Sequence, residues 1–130
     1  HKELLDGLFT FKRNKEVSML SFLLKQYLKT KDFYILHTIT GFHALISIKK
    51  YLDDYESVLD NYFAHALLLS LFNTKENTYE FLAVEIEEAR KKVEFLQDAH
   101  DIKLTHSLIE LYKEFNIEDI KLLLASIFEK

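Results

Sequence analysis

The residues best suited to chemistry lie together in Asp32-Phe33-Tyr34-Ile35-Leu36-His37-Thr38-Ile39-Thr40-Gly41-Phe42-His43-Ala44-Leu45. Two histidines, two threonines and one of only two glycines interrupt what otherwise reads as a buried helix. Glycine inside a helix costs about 1 kcal/mol relative to alanine. A buried polar group without a partner costs about 1–3 kcal/mol. Residues that weaken a helix in this way point to a purpose other than fold stability. Imidazoles can exchange a proton near neutral pH or ligate a metal.

Spacing limits what they can do together. His37 and His43 are six residues apart, about 120° around an ideal helix, so they cannot both face one ion from one regular helix. His37 shares its face with Thr40, Gly41 and Ala44, a stripe of small residues that a second helix or a ligand could approach closely. His43 lies beside Ile39 and Ile46. His65 falls within Tyr62-Phe63-Ala64-His65-Ala66-Leu67-Leu68-Leu69, on or near an apolar face. His100 and His106 repeat the six-residue spacing, and Lys103 shares the face of His100. Taken singly, each histidine reads as a core residue satisfied by a carbonyl or hydroxyl, and Lys103 as a solvent-facing cation. Taken together, they predict a pocket that gathers imidazoles from several helices. Neither Glu-x-x-His pairs nor a His-Glu-x-x-His motif is present, so a metal has ingredients here but no spacing signature.

The elements that must position these side chains read as all-α, an antiparallel helical bundle of five to six helices. There is no proline, and both glycines fall inside helical patterns and not at turn dipeptides. Asp32 caps a helix running to about Leu52, and Asp53-Asp54 cap one through Leu71. Asn77 with Glu80 predicts a capping box opening a helix to about Gln97. Asp98 caps the next, through Phe115, and Asn116 caps the last, with Glu118 and Asp119 in its first turn. Upstream, Lys15 to Leu28 reads as a helix and Lys2 to Phe9 as a short helix or extended arm. Glu87/Lys91 and Glu88/Lys92 are i,i+4 pairs on a solvated face. The apolar Leu122-Leu123-Leu124 and Ile127-Phe128 suit either a central core helix or a surface that docks a missing domain or second subunit.

Composition excludes several classes. The 130 residues, with 48% hydrophobic and 29% charged side chains, fit one globular domain with a sizeable core. The absence of cysteine removes disulfides, thiolate ligands and cysteine nucleophiles, and fits a reducing, cytoplasmic setting. A net charge of −4, with Lys12-Arg13-Asn14-Lys15 as the basic cluster, argues against a nucleic-acid surface. No stretch without a charged residue, Phe33 to Ile48 and Asn61 to Thr74 included, is long enough to span a membrane. Two glycines cannot build a dinucleotide or phosphate loop, and the Gly-x-Ser-x-Gly elbow is missing.

Within this frame, Asp32 to Leu45 resembles the His-x-x-Thr-x-x-His-Ala-Leu motif of questin oxidase-like proteins. Gln97-Asp98-Ala99-His100-Asp101-Ile102-Lys103-Leu104 resembles their later Asp-x-His-x-Ile-Lys motif. The resemblance covers roughly Asp32 to Leu111, with His65 on a joining helix. Members are longer, and the chain starts with His1, so it reads as their C-terminal portion. The family includes enzymes that open an anthraquinone ring by Baeyer–Villiger-type oxygenation with NADPH and oxygen. The resemblance therefore implies an oxidoreductase with a small-molecule, aromatic polyketide-like substrate and NADPH as cofactor; the histidines themselves leave a metal as a further option. His37, His43 and His100 are the positions carried over as catalytic, with Thr40, Gly41, His65 and Lys103 binding substrate. The alternative is a non-catalytic helical interaction or oligomerisation module, a homodimer or a missing N-terminal half docking on the C-terminal helix.

Overall fold

The computed structural model describes residues 2–72 and 81–129, with side chains from residue 14 onward. Among them are six helices and no strand: α1 Lys2–Thr30, α2 Phe33–Ile48, α3 Tyr55–Phe72, α4 Ile86–Lys92, α5 Ala99–Phe115 and α6 Asp119–Phe128. Short 3₁₀ turns at Lys49–Tyr51 and Val93–Phe95 follow α2 and α4. The all-α bundle expected from periodicity is what forms. No helix among the described residues is long and apolar enough to cross a membrane.

Local chemistry sets most of the boundaries. Asp32 Oδ1 accepts from the backbone N–H of Tyr34 at 2.9 Å and of Ile35 at 3.2 Å, opening α2. Asp98 does the same for His100 and Asp101 at 2.8 and 3.3 Å, opening α5. Asp54 accepts from Ser57 N–H at the start of α3. Side-chain oxygens thereby satisfy amides that have no partner within the first turn. Asn116 differs from expectation. It ends α5 in the left-handed conformation, φ 56° and ψ 44°, donating its N–H to Tyr112 O, and does not cap α6. Asparagine tolerates this conformation better than most residues, which is why the same letter suits either end of a helix. The two N-terminal segments are one continuous α1, and α2 gives way to the 3₁₀ turn at Lys49. The proposed cap Asn77 and Glu80 lies outside the described residues. The helix assigned to that region starts at Ile86, after an extended stretch whose Val84 N–H donates to Lys121 O.

The core lies among α1, α2, α5 and α6. Leu20, Leu23, Leu24 and Leu28 of α1 meet Ile35, Ile39 and Phe42 of α2, with Leu104, Leu108 and Leu111 of α5. These sets recur at three- and four-residue intervals, the single apolar face of a helix. Ile120, Leu123, Leu124, Ala125 and Ile127 of α6 are buried in the same core, and Leu122 and Phe128 pack against it. The C-terminal helix is thus a core element, and its apolar face is already covered from within the chain. Of the two uses its apolar run allowed, a central core helix is the one the described residues form.

α3 is placed differently. It packs on α2 and α1, at the edge of the four-helix core. Its start is tied to α1 by Glu16, which accepts from Tyr55 Oη at 2.6 Å and pairs with Lys49 Nζ at 3.3 Å, and by Lys15, which pairs with Glu56 and Asp60. Burial, and then the Glu16 carboxylate, push the Tyr55 phenol well above its ordinary range. Of its eighteen residues, Leu59 and Ala66 are fully buried.

Candidate functional site

Gly41 shows how α2 and α3 are joined. A Cβ at this position would lie 2.5 Å from Tyr62 Oη and 3.3 Å from Cζ, so the phenol of α3 occupies the space a side chain would take. Tyr62 Oη donates to the Thr38 carbonyl. Burial pushes this phenol up to about 12, so it remains protonated and available as a donor at neutral pH. The small-residue stripe on α2 therefore admits another helix, by way of one tyrosine ring. Thr38 Oγ1 donates to Ile35 O at 2.6 Å and Thr40 Oγ1 to His37 O at 3.2 Å, so both hydroxyls are satisfied within their own turn.

Beside this contact, α2 and α3 bound an open groove of about 240 Å³. His37 and Thr38 line one wall, His65, Ala66 and Leu69 the other, and Tyr34 and Tyr62 complete it. His37 Nδ1 is 2.8 Å from Phe33 O, and His65 Nδ1 is 2.8 Å from Asn61 O. A carbonyl only accepts, so Nδ1 carries the proton in both rings and Nε2 holds the lone pair of the neutral imidazole. The sequence of α2 and α3 builds these bonds locally, each histidine reaching back one helical turn.

His37 belongs to a second grouping. Its ring centroid is 4.4 Å from that of Phe33 and 5.6 Å from that of His100, and Phe33 is 4.7 Å from His100 in an edge-on arrangement. The caps of α2 and α5 bring the two helix starts side by side, which places these three rings in contact. His100 Nδ1 is also 3.5 Å from Asp98 Oδ1. His37, His65 and His100 thus come from three helices and gather around His37.

The other expected residues lie elsewhere or face outward. His43 is half-buried and pairs through Nδ1 with Ser107 Oγ of α5 at 3.0 Å, a helix-to-helix bond away from the groove. Lys103 and His106 are exposed. Among the described residues no group of three or more His, Asp or Glu side chains is arranged to hold a metal. Sequence reasoning missed Phe33, Tyr34, Tyr62 and Ser107. Their contacts with His100, Thr38 and His43 cross the fold for Phe33, Tyr62 and Ser107, and Tyr34 joins α3 only through the groove. Comparison with known proteins adds no relative: no family model, curated protein or solved structure matches the chain.

Beyond the groove, the outward side of α3 is apolar. Leu68, Leu71 and Phe72 are 53%, 74% and 86% exposed, and Ala64 and Leu67 are exposed beside them. No charged residue interrupts this side from Asn61 to Phe72.

Proposed function

We propose that this chain carries the histidine wall of a small-molecule site in an oxidoreductase-like protein of the questin oxidase type, which its motifs resemble. The supporting observation is the position of His37, which shares the groove with His65 and a ring contact with His100. In this reading an aromatic ring lies between α2 and α3 against Tyr34, Tyr62 and Leu69. His37 Nε2, the basic nitrogen, takes a proton from a phenolic or enolic group or returns one to it. A volume of about 240 Å³ falls below the roughly 300–1,000 Å³ of sites for drug-sized ligands. The groove therefore fits one ring of a polyketide-like substrate, the remainder lying along the apolar side of α3. NADPH and oxygen enter through the resemblance alone. The test is titration with a hydroxyanthraquinone, followed by its visible absorbance. Saturable binding, weakened about tenfold or more in His37→Ala and His65→Ala at unchanged helical circular dichroism, is the expected result. Absence of binding, or equal binding by the variants, would remove this reading.

A second reading is favoured by the outer side of α3: an association module in which this face pairs with the same face of a second copy. Ala64 lets two helices approach closely, Leu68, Leu71 and Phe72 supply apolar area, and the charge-free stripe lets it face itself without repulsion. Light scattering across a range of concentrations checks it, a constant monomer mass being the contrary result.

A further inference from the structure

We infer that His37 and His100 form a two-imidazole site for a divalent transition metal of the zinc type, with water completing the coordination. The inference rests on ring geometry and needs no aromatic ligand, so it stands or falls separately from the reading above.

Three observations carry it. Zn–N bonds of about 2.0–2.1 Å in a tetrahedral arrangement put two imidazole centroids roughly 5 Å apart. The His37 and His100 centroids are 5.6 Å apart, close to that separation. His37 is also oriented as ligating histidines usually are, its Nδ1–H donated to the Phe33 carbonyl, which leaves Nε2 as the ligating atom. Lastly, the rings come from two helices whose starts are held by Asp32 and Asp98, so the ligands are placed before an ion arrives. The Asp98 carboxylate, 3.5 Å from His100 Nδ1, offsets the unfavourable effect of helix N-termini on a cation. Both histidines are exposed, and 47% of the His100 side chain meets solvent, which leaves room for water ligands and an exchangeable position. A plain aromatic cluster of Phe33 with the two imidazoles is the competing account.

Zinc titration of the full chain by calorimetry near neutral pH separates the two. One ion per chain is expected at micromolar concentration, weakened about tenfold or more by His37→Ala and by His100→Ala alike. His106→Ala and His65→Ala should leave the affinity unchanged. So should His1→Ala, the control for chelation by that imidazole. Zinc should also raise the Tm of the parent chain and not that of His100→Ala. Should a variant fold poorly, zinc-dependent shifts of the His37 and His100 ring signals in the parent chain by NMR give the same answer. Affinity no better than millimolar, undiminished binding in both variants, loss with His1→Ala, or ring signals that ignore zinc would each overturn the assignment.

Discussion

α3 and α6 are both rich in leucine and phenylalanine, yet the fold treats them in opposite ways. α6 buries six of its ten residues among α1, α5 and α4. α3 buries two of its eighteen, and its leucines at 67, 68, 69 and 71 remain at the surface. Apolar content says that a helix can be covered, and position in the bundle says whether it is. α6 returns to a space already walled by two long helices. α3 follows a short turn from α2 and reaches the edge of the core, where one side is covered and the other is not.

Substitutions can break or sharpen this contrast. Leu124 is fully buried, so Leu124→Ala should cost about 2–5 kcal/mol through lost transfer energy and a cavity, read from denaturant unfolding. The same truncation at exposed Leu68 should cost far less, and equal costs would show that α3 is covered after all. Gly41→Ala probes the covered side of α3. Its Cβ meets Tyr62 Oη at 2.5 Å, so the ring must move and give up the Thr38 carbonyl. A loss of about 1–3 kcal/mol is expected, and a Tyr62→Phe background should relieve part of it.

Alkaline pH gives a gentler version of that test. Burial holds the Tyr62 phenol up to about 12, and Tyr27 is raised similarly by burial and by nearby Asp101 and Asp98. Raised acids of this kind bind their protons more tightly folded than unfolded. Their stabilising contribution is complete below the ordinary value of 10 and is lost as pH climbs from 10 toward 12. The Tm should fall as pH rises across that window, and less so in Tyr62→Phe. The smallest effect on stability belongs to Leu68→Glu, within about 0.5 kcal/mol for a surface position. Its consequence would be on mass: if α3 faces pair, the dimer is lost.

The histidines repeat the lesson on a finer scale. His37, His65 and His43 occur in similar apolar helices, and each satisfies Nδ1. His37 and His65 use a carbonyl one turn back, which any helix offers. His43 uses Ser107, sixty-four positions away. The first two line an open groove, and the third ties α2 to α5.

Residue type and spacing were enough to determine the helical class and the capping roles of Asp32, Asp54 and Asp98. Those features depend on neighbours within a turn or two, where hydrogen-bond chemistry is local. Asn116 escaped because asparagine serves either helix end, and the chain alone does not say which amide it answers. Tertiary structure alone decided that Gly41 makes room for Tyr62, that His37 meets His100, that α6 is covered and that the outer side of α3 is not. Contacts between residues distant in the chain depend on how whole helices dock, and docking is settled by the collective packing of the core.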